Sequence, residues 1–247
     1  MSDRTFSLSP AIRALIRRDL AGYFQSPVAY VLGVIFLIVT GGLFFSTFFL
    51  FDRVELRGFF SLLPVLLGIL IPALAMRLIA EERRRGTWEV LQTLPLTTVH
   101  IVVGKFIALW VTALFLLAPT VLFALSVSMM GRLDGGPVVG GYVGAVLLAG
   151  AYSAVGLFAS AIARSETVAL VVALVISLVL VLLGNLLILI PTPLVPLMEY
   201  LSVTYHFAAF TRGVIDSRSV VYFGSVIALF LILTTYRLDR EREEQPR

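Results

Sequence analysis

The stretch AEERRRGTWEVLQTLPL, residues 80–96, is the most charged part of the body of an otherwise apolar chain. Long apolar runs flank it, residues 59–79 before it and residues 101–130 after it. Each run can cross the ~30 Å hydrocarbon layer as a helix, which takes about 20 residues. A polar insert between two such runs reads as a loop that returns the chain through a membrane.

Composition extends this reading to the whole chain. Of 247 residues, 59% are apolar and only 14% are charged. A soluble domain carries about 25% charge, and the mean hydropathy here is +1.00. Apolar segments of spanning length occupy residues 27–51, 59–79, 101–130, 138–163, 167–190 and 220–236. Backbone groups in lipid must be satisfied within the segment or within a closed barrel. The runs lack the alternation of barrel strands. The expected fold is therefore all-α, a polytopic membrane protein with six transmembrane helices forming a single domain over 1–247.

The absence of cysteine excludes a disulfide framework and thiolate metal sites. His100 and His206 lie far apart and make a weak case for a metal centre. The net charge of +4 gives no ground for a nucleic-acid partner; its distribution matters more. With the N-terminus inside, the inner segments hold fourteen of the 19 Lys and Arg residues, and the outer loops hold five. That bias sets the orientation, and six crossings return the C-terminus to the cytoplasm. Residues 1–26 carry charges and lack a long apolar core, so no signal peptide is expected. In residues 8–24, Leu8, Ile12, Leu15, Ile16, Leu20, Tyr23 and Phe24 recur at helical spacing while Arg13, Arg17 and Arg18 fall on another face. This reads as an interfacial helix; a plain cytoplasmic cap on the first crossing is the simpler alternative.

The outer loop 191–219 contains Pro191, Pro193 and Pro196, then an apolar stretch with Phe207 and Phe210 three residues apart. It is too short to span and suits a re-entrant or interfacial helix pair with Gly213 as a stop. Its His206 reads as a satisfied loop histidine rather than a metal ligand, and Arg212 as one of the few outer basic residues.

Within the charged stretch, Glu81 with Arg85 and Arg85 with Glu89 are opposite charges at i,i+4 and favour a helix over 80–95. Leu94-Pro95 ends it, and Thr97-Thr98 can cap the next. The minimal reading is a topological stop that holds two crossings in place. The specific reading is a docking helix that shows Glu81, Glu82, Arg84, Arg85, Gly86, Thr87, Trp88 and Leu91 to a cytoplasmic partner, with Trp88 and Leu91 filling a cleft in it.

EERRRGTWEVLQTLPLTTVHIVVGKF resembles the first cytoplasmic loop of type-2 ABC exporter permeases. The residues that carry the likeness are Glu81, Glu82, Arg84, Gly86, Thr87, Leu91, Pro95, Gly104 and Lys105. RRDLAGYFQSPVAYV is similar to the N-terminal helix of that family, and YHFAAFTRGVIDSRSVVYF to its gliding-motility and copper-maturation branch. The resemblance implies six membrane helices, a coupling helix over 80–95, short outer re-entrant helices, and two partners: a second permease chain and a separate ABC ATPase subunit. The implied setting is the bilayer of the bacterial plasma (inner) membrane, with both termini cytoplasmic.

The sequence points the same way on nucleotide chemistry. A P-loop requires G-x-x-x-x-G-K-[ST], whereas Gly104-Lys105 is followed by Phe106 and position 99 is valine. This chain is expected to hold no cofactor and to catalyse nothing; ATP and Mg belong to the partner. An ion-coupled secondary transporter is the rival, although it would show internal repeats and midplane charge. An intramembrane enzyme would need a base beside Ser153, Ser160 or Ser177, and no histidine or aspartate lies within a crossing. Asn185 either faces a substrate path or glues helices together. Gly140 and Gly144 form a G-x-x-x-G that permits close helix approach. Arg77 is expected to snorkel towards the inner surface.

Overall fold

The computed structural model describes residues 10–51, 55–88, 91, 96–131, 133–185 and 195–244, and within these not the side chains of 10, 11, 47, 49–51, 185, 195–197 and 244. All regular structure in the described residues is helical. In chain order the helices are α1 (Pro10–Gln25), α2 (Pro27–Phe51), α3 (Arg57–Ala75), α4 (Ala80–Arg84), α5 (Thr98–Leu117), α6 (Val121–Met130), α7 (Gly135–Ile162), α8 (Glu166–Asn185), α9 (Val195–Leu201), α10 (Val203–Thr211) and α11 (Ser217–Glu244). Six helical segments among them are long and apolar enough to span a bilayer.

Local chemistry sets several boundaries. Thr97 accepts a hydrogen bond from the His100 N–H and caps α5. Asp134 does the same for α7 through Gly136, and Ser202 for α10 through Tyr205. The third span is not one uniform helix: a 3-10 turn over Ala118–Thr120, holding Pro119, joins α5 to α6. Proline has no N–H to continue the ladder. The last helix runs past the apolar stretch at both ends. An i,i+4 pair between Arg237 and Glu241 helps to carry it through the charged tail.

Helix α7 is the most buried span and forms the centre of the bundle. Helices α3, α5, α8, α10 and α11 all pack on it. Small residues make this possible. A Cβ at Gly156 would sit 2.5 Å from the Ala75 side chain, and one at Gly141 would strike the Phe60 ring. Neighbouring backbones therefore approach α7 more closely than larger residues would allow. Tyr152, fully buried, donates from its hydroxyl to the Pro64 carbonyl at 2.9 Å and ties α7 to α3.

Helix α8 is peripheral and exposes Val168, Val171, Val175, Val179 and Leu182 along one side. Helix α1 is amphipathic as its spacing predicts. Ile12 and Leu15 are buried while Arg13, Arg17 and Arg18 face outward. It packs on α5, with Leu15 against Gly104 and the Phe24 ring edge-on to Phe115 at 4.8 Å.

Candidate functional site

The functional reading turns on the segment after α3. Helix α3 stops at Ala75, and residues 76–79 form a turn before α4 begins. Ser160 of α7 holds this break. Its hydroxyl oxygen accepts from the Ile79 N–H at 3.0 Å and the Ala80 N–H at 3.2 Å, and it lies 3.3 Å from the Met76 carbonyl, to which it donates. Amide groups freed by the break thus regain partners. Ser153 donates to the Ala149 carbonyl at 2.7 Å within its own helix. These two serines have structural duties, and Ser177 is buried with no hydrogen-bond partner among the described residues.

The continuous helix expected over 80–95 is interrupted. Helix α4 ends at Arg84, Gly86 takes φ +70°, and Thr87 and Trp88 are helical again. A left-handed residue cannot continue a right-handed helix, and glycine adopts that conformation without a Cβ clash. The Thr87 hydroxyl donates back to the Glu82 carbonyl at 3.2 Å and closes the turn. Glu89 and residues 92–95, including the Leu94-Pro95 stop, lie outside the described residues.

A second difference concerns the aromatic anchor. Trp88 is 5% exposed and Leu91 only 2%, so neither is displayed to solvent. Both join the apolar core, and the Arg83 guanidinium lies over the Trp88 ring at 5.9 Å. The apolar face that sequence alone aims at a partner is taken up by the chain's own bundle. Among the described residues of 80–91, those that remain outside are Arg84, Arg85, Gly86 and Thr87.

The charges of this segment bind helices distant in sequence. Glu82 stands between two cations: Oε1 lies 2.6 Å from Arg18 Nη2, and Oε2 lies 2.8 Å from Lys105 Nζ. Arg18 also bonds Asp19 at 2.8 Å. Lys105, only 1% exposed, donates to the Leu78 carbonyl at 2.9 Å and lies 3.4 Å from Asp19. Arg84 pairs with Glu166 of α8 at 2.9 Å, and Arg77 reaches the same carboxylate at 3.4 Å. Arg83 pairs with Glu241 of α11 and lies 3.3 Å from the Ala163 carbonyl, to which it donates. Arg85 pairs with Glu81. The segment is thereby fastened to α1, α5, α8 and α11.

Sequence reading missed the buried ion pairs of Lys105, which it used as an inner positive charge, as a residue of the family resemblance and in the P-loop comparison. The available signal was a lysine several residues inside an apolar helix, which needs a partner when buried. Tyr23 is tied here as well. Its hydroxyl donates to the Leu74 carbonyl at 3.0 Å, and burial, with Asp19 nearby, holds it far above its ordinary pKa.

The other candidates sit apart, at the far end of the bundle. Gly140 and Gly144 receive α10. A Cβ at Gly140 would lie 2.5 Å from the Phe210 carbonyl oxygen, and one at Gly144 would lie 2.8 Å from the Phe210 side chain and 3.1 Å from Phe207. Their close approach is to a short helix of the same chain. Phe207 is 2% exposed and Arg212 is exposed beyond the end of α10.

His206 is buried and satisfied on both nitrogens: Nε2 lies 3.1 Å from the Tyr200 carbonyl and Nδ1 lies 3.2 Å from the Ser219 hydroxyl. The carbonyl only accepts, so the neutral ring carries its proton on Nε2 and accepts from Ser219 at Nδ1. The ring stacks on Tyr222 at 4.1 Å. Burial lowers its pKa, opposed by the Tyr200 carbonyl and Asp216. No group of three metal-ligating side chains occurs among the described residues. Asn185 ends α8, and its side chain is outside the described set.

Comparison with known families agrees with this architecture. The family model described as ABC-2 family transporter protein matches residues 13–242, and the chain belongs to that family. It is a multi-pass membrane permease component of an ABC transporter. The match is to the family as a whole and does not place the chain in the gliding-motility or copper-maturation branch. None of the curated proteins matches it.

Proposed function

We propose that this ABC-2 family chain is the passive membrane half of an ATP-driven exporter, moved by a separate ATPase subunit that grips the turn Arg84–Thr87. ATP and Mg bind that partner, and this chain contributes no catalytic residue. Two permease chains, identical or different, assemble in a bacterial plasma membrane with both termini in the cytoplasm. The chain then moves a substrate or transmits force to a protein outside.

The observation that carries this reading is the combination of an exposed charged turn with ion pairs leading from it into the bundle. The side chains of Arg84 and Arg85 are 65% and 66% exposed. Immediately behind them, Glu82 and Arg83 connect to α1, α5 and α11, while Arg84 itself connects to α8. A partner that displaces the turn therefore displaces the inner ends of several spans together. Nucleotide binding would shift the population between two packed arrangements of the permease pair. Glu81, Glu82, Gly86 and Thr87 shape the turn. Trp88 and Leu91 root it in the core rather than enter the partner.

The rival, an ion-coupled secondary transporter working without an ATPase, places its charge near the bilayer midplane. Lys105 and its partners instead gather around the α3–α4 break and the end of α1. The test is co-purification with a candidate ABC ATPase subunit co-expressed with the permease. Arg84→Glu with Arg85→Glu should lose the ATPase while the permease still inserts. Retention of the ATPase at wild-type yield would remove the docking assignment.

A further inference from the structure

A cleft of about 440 Å³ opens beside the charged segment, between α1, the Ser26-Pro27 corner, the start of α2, the end of α3 and α4. Its lining changes character from one side to the other. Val28, Ala29, Ala73, Leu74 and Leu78 are apolar or small, whereas Arg18, Asp19, Arg77, Glu81, Glu82, Arg85 and Lys105 are charged. Two spans meet this level: α2 begins there and the apolar part of α3 ends there. The cleft thus lies where hydrocarbon gives way to headgroups. The α2 face continues from it with exposed Tyr30, Val31, Val34 and Ile35, a surface suited to an acyl chain.

Charge counting identifies the headgroup. Arg18 and Lys105 balance Asp19 and Glu82, and Arg85 balances Glu81. Arg77 and Arg84, however, share the single carboxylate of Glu166. Of these two, Arg77 lines the cleft. Its Nε is buried, makes no hydrogen bond among the described residues, and stands 3.4 Å from Glu166. Among the described residues, one positive charge at the cleft wall is thus incompletely neutralised, and a guanidinium fork is matched to phosphate geometry. Gly22 shows the room available, since a Cβ added there would meet nothing within 4 Å.

We propose that this cleft binds one anionic glycerophospholipid from the leaflet that meets the charged end of the bundle. Its phosphodiester faces Arg77, and its acyl chains lie along α2. The lipid fills the space between α1 and the α3–α4 break and braces the segment, bordering the exposed turn at Arg85 and Thr87. The two readings are tested apart, because Gly22 and Arg77 line the cleft but lie outside the turn, while Arg84 lies in the turn and does not line the cleft.

The test is native mass spectrometry of the full-length permease, stripped of lipid in detergent and titrated with dioleoylphosphatidylglycerol or dioleoylphosphatidylcholine. Wild type should retain one phosphatidylglycerol per chain in preference to phosphatidylcholine. Arg77→Gln removes the phosphate partner, and retention should fall about ten-fold, the weight of one charge-assisted hydrogen bond. Gly22→Trp fills the cleft and Gly22→Leu fills part of it, in a helix that tolerates both better than glycine; both should lose the lipid. Arg13→Gln, on the exposed side of α1, should retain it. Thermal unfolding in lipid-free detergent checks that each variant is folded. Wild type with no preferred lipid, equal retention of both lipids, or full retention by folded Gly22→Leu and Arg77→Gln would each overturn the proposal.

Discussion

Lys105 Nζ lies 2.8 Å from Glu82 Oε2, which joins the third membrane span to the segment that follows the second. The lysine is 1% exposed and the glutamate 17%, so the pair is largely withdrawn from water. Arg18 approaches the other oxygen of the same carboxylate, bringing α1 into the junction. Breaking this arrangement strands charge in a poorly solvated place. Lys105→Met should destabilise the chain by about 3 kcal/mol, the range found when one member of a buried pair is removed. Lys105→Met combined with Glu82→Leu leaves Arg18 paired with Asp19 and should recover much of that loss. Denaturant unfolding in detergent measures both; a double variant no more stable than the single one would dissociate the two residues.

Steric fit makes a different prediction at the far end. Gly140→Ala places a methyl 2.5 Å from a backbone oxygen of Phe210, which cannot move without shifting α10. A loss of about 2 kcal/mol is expected for such overpacking, with faster hydrogen exchange across 203–211. Gly22→Ala meets open space and should be neutral or slightly stabilising, because alanine is the better helix former. Equal effects at the two positions would contradict the packing.

The buried histidine predicts a pH response with a definite sign. Burial depresses the pKa of His206 below its ordinary 6.5, so the unfolded chain binds the proton more readily than the folded one. The stabilisation is fully present above about 6.5 and is lost as pH falls from there towards the folded value. The melting temperature in detergent should therefore drop between about pH 7.5 and 5.5, in part through His206, the range in which histidine titrates. His206→Gln should flatten that part of the profile, and an unchanged slope would show that other groups carry it.

The spans were legible because apolar length and an unbroken pattern suffice to identify them, and Thr97 announced its cap by residue type. The pair of short helices at the far end was legible from aromatic spacing and proline breaks. Tertiary facts were not. Arg18 meets Glu82 across 64 positions and Arg83 meets Glu241 across 158, and no local pattern encodes such partners. Trp88 sits among charges in sequence, yet the fold turns it inward, so local polarity gave the wrong side. Gly140 and Gly144 signalled close packing without revealing that Phe207 and Phe210 occupy the space. Among the described residues of the charged segment, the exposed part thus shrank to Arg84–Thr87, while Trp88 and Leu91 are buried.

That division gives two classes of variant. Trp88→Ala empties a core site and should cost about 3–5 kcal/mol of stability, lowering ATPase binding only through damage to the fold. Arg84→Glu with Arg85→Glu reverses charge on exposed side chains and should leave melting within a few degrees of wild type, since surface pairs contribute about 1 kcal/mol or less.

The most direct measurement is the yield of a candidate ABC ATPase subunit recovered with affinity-purified permease, wild type against Arg84→Glu/Arg85→Glu, at equal amounts of folded permease. Wild type should bring down the ATPase in stoichiometric amount and the double variant should not. ATPase retained by the double variant at wild-type yield, or substrate transport by purified permease without any ATPase, would contradict the assignment of this chain as a gate worked from outside.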